Sequence, residues 1–207
     1  MPRISAENLE AHRAETTDRL LDAWSELVLE RGYDGVSLAD VAKRIGLART
    51  AVYNYFSDRE ELLFAWTDRE VTRTMDVLHG RLATVDSAVD KLHEFVVIEL
   101  ESFEASHLPQ GQEVVHFLGP DVWQRFMAHV EPVEAILRDI LQEGFESGEF
   151  EDADIDQTLP MVMACVGAER GALAAGSATV KEATERVLSF LERALLKPNG
   201  RAKRRRR

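Results

Sequence analysis

The chain has 207 residues, 45% of them hydrophobic, which is enough to bury one or two cores and excludes wholesale disorder. No apolar run approaches the roughly 20 residues of a bilayer span, and Met1 to Arg13 carries no apolar targeting segment. Cys165 is the only cysteine, so neither an internal disulfide nor a multi-cysteine zinc site can form, and a cytoplasmic chain with no membrane partner is expected.

The net charge of −12 is unevenly spread: residues 1–60 carry −3, residues 61–200 carry −15 and residues 201–207 carry +6. From Val41 to Arg59, Lys43, Arg44, Arg49 and Arg59 stand against Asp58 alone. An acidic body with one locally basic segment suits local phosphate contacts with weak non-specific attraction to nucleic acid.

Helical periodicity dominates, and no strand pattern is sustained. The first helix is expected over 11–31, with Leu20, Leu21, Trp24, Leu27 and Val28 along one stripe and Gly32 as its stop. Ser37-Leu38-Ala39-Asp40 resembles a capping box and opens a short helix over 38–45 that Gly46 ends. A second short helix follows at 49–56, and Ser57 or Asp58 caps a fourth that runs towards Gly80. Further helices are expected at 86–106, 121–130, 132–147, 155–175 and 178–197, with an irregular stretch at 108–121. Pro132 should separate the middle pair. Pro160 fits only in a first turn, so the start of its helix should slip. Asp154 or Asp156, and then Ser177, are the expected caps of the last two helices. About nine helices and no sheet make this an all-α chain.

Two short helices about a glycine turn have helix-turn-helix geometry. Val41, Ala42 and Ile45, then Val52 and Phe56, face inward, leaving Arg49, Thr50, Ala51, Tyr53, Asn54 and Tyr55 on or beside the outer surface. Arg49 can fork onto guanine, Thr50 and Ala51 can meet a thymine methyl, and Asn54 can read adenine. The tyrosine hydroxyls suit phosphates. A tight helical hairpin in an ordinary bundle, with half-buried tyrosines, is the alternative on spacing alone.

Leu20–Trp66 resembles the DNA-binding domain of the TetR family. The likeness rests on Glu-Arg-Gly-Tyr at the end of the first helix, Ala-Lys-Arg-Ile-Gly-Leu at the turn, Val-Tyr-x-Tyr-Phe in the recognition helix and Ser-Asp-Arg-Glu-Glu-Leu after it. It covers about residues 14–66. The resemblance implies an N-terminal three-helix helix-turn-helix DNA-binding domain (1–60) and a helical ligand-binding and dimerisation domain (61–200); the charge run at 201–207 is expected to be a disordered basic tail. The resemblance also implies DNA contacts from Arg49, Thr50, Ala51, Tyr53 and Tyr55, with Arg59 on a phosphate at the start of the fourth helix; Ser37, Lys43, Arg44 and Asn54 are further DNA-binding candidates. Three positions depart from the family pattern. Ala48 stands where Ser or Thr often caps the recognition helix. Thr17 stands where Arg is frequent, which loses a contact or moves it to Arg13. Asp58 offsets Arg59.

The resemblance further implies a homodimer through the last two helices, with Leu159, Val166, Leu173, Val180, Val187, Phe190 and Leu191 at the interface. The same stripes serve equally well as the core of one chain. Trp66, Phe95, Phe103, Phe117, Trp123, Phe126, Met127, Met161 and Cys165 are candidates to line a mostly apolar pocket for a small hydrophobic ligand, or else are plain core. The acidic body points weakly to a cationic or neutral ligand. His93, His107, His116 and His129 lack the i, i+3 or i, i+4 spacing of metal ligands, so no cofactor is expected. No phosphate loop or nucleophile elbow suggests an enzyme.

The expected function is a bacterial-type transcriptional regulator: a homodimeric repressor released from palindromic double-stranded operator DNA by its ligand. An activator or corepressor-dependent regulator, or a helical-bundle enzyme, is the alternative.

Overall fold

The computed structural model describes residues 6–106 and 111–197; the basic tail expected at 201–207 lies outside them. The helices are α1 (Ala6–Arg31), α2 (Leu38–Arg44), α3 (Arg59–Leu82), α4 (Ala88–Ser106), α5 (Gly111–Ser147), α6 (Ile155–Ala168), α7 (Arg170–Ala174) and α8 (Val180–Leu195). Two 3₁₀ turns, Tyr33–Gly35 and Ala51–Asn54, complete the list. Among the described residues there is no strand, only a single bridge between Phe150 and Leu196. No described helix is long and apolar enough to cross a membrane.

Several boundaries differ from expectation. The segment at 49–56 forms a 3₁₀ turn over Ala51–Asn54 rather than a regular α-helix, and Thr50, at its N-cap position, makes no side-chain cap bond. Residues 111–147 form one continuous helix through Pro120 and Pro132. A proline removes one backbone hydrogen bond, a loss that burial of Val133, Leu137, Ile140 and Leu141 offsets. The start of α6 does not slip. Asp154 caps it and Pro160 lies in its second turn, on the exposed side. The helix expected at 155–175 breaks at Glu169 into α6 and α7. Thr179, not Ser177, caps α8, in a capping box with Glu182.

The described chain falls into two compact units. The first comprises the described parts of Met1–Arg69 and His107–Phe126; the second comprises those of Glu70–Ser106 and Met127–Arg207. Residue 60 falls at the start of α3, whose first half belongs to the first unit.

In the first unit, Trp24 of α1 is the centre of the core. Its indole meets Tyr33 edge-on at 6.3 Å and Trp66 of α3 at 5.4 Å between ring centroids. Arg69 pairs with Asp22 at 2.8 Å and with Asp18 at 3.6 Å, tying α3 to α1.

In the second unit, α4 packs against α6, α7 and α8. Its core joins Phe95 and Ile98 of α4, Leu137 of α5, Val166 of α6 and Leu191 of α8. One charged residue is buried with them: Glu99, 5% exposed. Burial pushes its carboxyl from 4.5 up to about 7, against the pull of the Arg170 charge. Between those two values the folded chain holds a proton that the unfolded chain has released, so stability falls as pH rises through that window. Glu99→Gln should remove this slope. Between pH 5 and pH 8, the unfolding free energy of the variant relative to the parent should rise by about 2–3 kcal/mol, read from denaturant melts.

Candidate nucleic-acid interface

The helix-turn-helix is built on two termini that the sequence encodes. Ser37 accepts a hydrogen bond from the Asp40 backbone N–H at 3.2 Å, and the Asp40 carboxylate accepts from the Ser37 N–H at 3.0 Å. This reciprocal box fixes the start of α2. At the other end Gly46 adopts φ +74°, while the Leu47 and Gly46 N–H groups return to the Ala42 and Lys43 carbonyls at 2.8 and 3.2 Å. That is a Schellman closure, and its left-handed residue favours glycine. The chain then reaches the 3₁₀ turn, where Val52 and Phe56 are buried.

With those two side chains inward, Lys43, Arg49, Thr50, Tyr53 and Asn54 are exposed, and Ala51 and Tyr55 are half-buried. Tyr53 is 54% exposed. Among the described residues Lys43 and Arg49 form no ion pair, so both charges are available to a partner.

The other cations are engaged within the fold. Arg44 reaches Glu26 at 2.9 Å and Glu30 at 2.7 Å, tying α2 to α1. Arg59 lies over the Tyr33 ring at 4.6 Å, donates to the Tyr33 carbonyl at 3.2 Å and pairs with Asp34 at 3.6 Å. Ser37 is occupied as a cap. The Asp58 carboxylate caps α3 by accepting from the Glu61 N–H at 2.8 Å. An open groove of about 460 Å³ runs past Asp34, Ser37, Tyr53 and Arg59.

Two arginines of α1 complete the reading segment, and their part was only half visible in the sequence. Arg19 donates to the Ile45 carbonyl at 3.0 Å, at the end of α2. Arg13 donates to the Asn54 carbonyl at 2.9 Å, with its guanidinium 5.3 Å from the centre of the Tyr55 ring. Both satisfy carbonyls that a helical turn leaves without a partner, and both put positive charge at the negative end of the local dipole. Arg13 stands four residues before Thr17, hence on the same face of α1.

The ligand candidates are divided between the units. In the first, Trp66 is 2% exposed against Trp24, and Trp123 stacks on Phe126 at 5.5 Å. The side chain of Phe117 lies outside the described residues. In the second, Phe95 is fully buried, Phe103 lies beneath Arg170 at 3.6 Å and Met127 is half-buried. Cys165 is a half-buried free thiol that burial pushes up, and Met161 is 66% exposed. Of the interface candidates, Leu159, Val166, Leu173, Val187 and Leu191 are buried in the core of the second unit, Val180 is half-buried and Phe190 is 52% exposed.

A family model described as bacterial regulatory proteins of the tetR family matches residues 20–66. A second, described as a tetracyclin repressor-like C-terminal domain, matches residues 88–188. The chain belongs to the TetR family. The HTH-type transcriptional regulator AlkX of Mycobacterium tuberculosis is 34% identical over 127 residues, 60% of this chain and 59% of that protein. The chain therefore spans little more than half the length of this curated relative.

Among solved structures, the regulator FadR from Bacillus subtilis in complex with stearoyl-CoA is similar at TM-score 0.74 and 20% identity, covering 84% of this chain and 96% of that one. A transcriptional regulator from Saccharomonospora viridis in complex with choline is similar at TM-score 0.75 and 19% identity, covering 89% and 99%. These two likenesses are likenesses of fold.

Arg13→Ala should loosen the reading segment locally. Amide hydrogen exchange at residues 51–56 should speed up about five- to tenfold, equivalent to about 1 kcal/mol for one hydrogen bond, while the second unit keeps its protection.

Proposed function

We propose that this TetR-family chain is a sequence-specific, DNA-binding transcriptional regulator. Its ligand-free homodimer holds a pseudo-palindromic operator and is released by a small, mostly apolar ligand of the second unit. The observation that carries this reading is the outer surface of the helix-turn-helix. Arg49, Thr50, Tyr53 and Asn54 stand exposed on a segment seated by buried Val52 and Phe56, and Arg49 has no ion-pair partner among the described residues. Such a surface supplies both the bidentate donor and the amide that read base edges in a major groove. In a dimer, two copies would enter successive major grooves about 34–36 Å apart.

Selection of bound sequences from random DNA tests this directly: an inverted repeat supports the reading, and no enrichment by folded protein opposes it. On the recovered site, Arg49→Ala should weaken binding about 10–100-fold and relax preference at one base pair. Lys43→Ala should weaken all sequences evenly and lower the salt slope by about one.

For self-association, the exposed side chains matter more than the stripes. Met161, Ala164 and Ala168 line the outer side of α6, and Phe190 stands out from α8. Small residues permit close helix approach, and an exposed phenylalanine suits the centre of an interface. Phe190→Arg should convert a dimer to a monomer of unchanged helicity in sedimentation. Val187→Ala should instead lower unfolding stability by about 1–3 kcal/mol, because that side chain lies in the core of the second unit.

The regulator could equally activate, or need a corepressor. A reporter in a deletion strain separates the cases, since derepression and lost activation have opposite signs.

A further inference from the structure

The second unit holds a polar trio that the DNA-reading surface does not use. Glu99 of α4 is buried in the apolar run Phe95–Leu100. One turn on, and on the same face of α4, the ring of Phe103 lies 3.6 Å beneath the guanidinium of Arg170, from α7. The Arg170 Nε is buried without a hydrogen-bond partner. Among the described residues, neither Arg170 nor Glu99 makes a hydrogen bond or an ion pair.

An arginine carries five N–H donors and accepts nothing, so what the Nε–H lacks among the described residues is an acceptor. Glu99 does not supply it, because no hydrogen bond joins its carboxyl to the Arg170 guanidinium. The Arg170 Nε–H is then a buried donor with no acceptor, a costly arrangement unless a ligand oxygen completes it. A cationic ligand would meet like charge. The aromatic face that would hold it is already covered by Arg170. A multiply charged anion would bring more charge into the interior than one guanidinium neutralises. Phe95, Ile98, Met163 and Cys165 belong to the same core, so the remainder of the ligand would be apolar.

We propose that Arg170, seated on Phe103 with its Nε–H buried and unanswered, anchors the carboxylate of a singly charged ligand with an apolar body. This rests on the reading of the second unit as a ligand-binding domain, and it names the chemical class. The planar fork of the guanidinium matches a carboxylate through two parallel hydrogen bonds. The net −15 of residues 61–200 does not oppose it. That charge sits mostly on solvated side chains screened within about 8–10 Å, whereas Arg170 acts at contact.

The test is calorimetric titration of the full chain with decanoate, decanol and decyltrimethylammonium. Decanoate should bind one per chain, at least tenfold tighter than either counterpart. Arg170→Gln should lose at least tenfold for decanoate and leave decanol unchanged, which also shows that the variant is folded. Arg170→Lys, which keeps the charge but not the fork, should fall between, and Glu99→Gln should retain decanoate binding.

The proposal is overturned if decanoate does not bind the parent or if Arg170→Gln binds it as the parent does. It also fails if decyltrimethylammonium binds more tightly and loses that binding in Glu99→Gln. Operator binding by the same samples is read separately, so a failure of DNA recognition is distinguishable from a failure of this site.

Discussion

The reading head depends on the burial of Trp24, because one indole holds together three elements distant in sequence. It sits on α1, meets Tyr33 in the turn after α1, and meets Trp66 about two turns into α3. Large aromatics supply apolar area and prefer tilted or edge-on pairings, so the contacts fix orientation as well as proximity. Tyr33 in turn is the platform on which Arg59 lies. Loss of the indole would remove both of these aromatic contacts of α1 at once.

Upon that core, charge is sorted by task. Arg13, Arg19, Arg44 and Arg59 each serve the fold through a backbone carbonyl or a carboxylate. Among the described residues Lys43 and Arg49 form no ion pair. The sorting reconciles an acidic chain with a DNA-reading surface. The acids of α1 hold arginines in place, and the exposed cations are few and local, which limits non-specific attraction and leaves discrimination to base contacts.

The second unit follows a different rule. Its helices bury apolar faces against one another and would be complete without a charge, yet α4 carries Glu99 into the interior. Buried ionisable groups cost stability, and a stable core alone gives no reason to keep one. Their concentration at ligand sites supplies the reason that packing does not.

The sequence by itself determined the helical class, the capping box at Ser37 and Asp40, the stop at Gly46 and the inward set Val41, Val52 and Phe56. Each of these is a local matter of periodicity, capping chemistry or backbone freedom. It also carried the family likeness of residues 20–66. Only the tertiary structure decided that residues 111–147 run on through two prolines, that Leu191 and Val187 are core while Phe190 is exposed, and that Arg13 reaches Asn54, 41 residues away. Glu99 left a trace, a lone charge in an apolar run, but its relation to Arg170 is set by the packing of α7 on α4. Side-chain partners so far apart along the chain are fixed by how faces pack, and periodicity shows which face is apolar without showing what covers it.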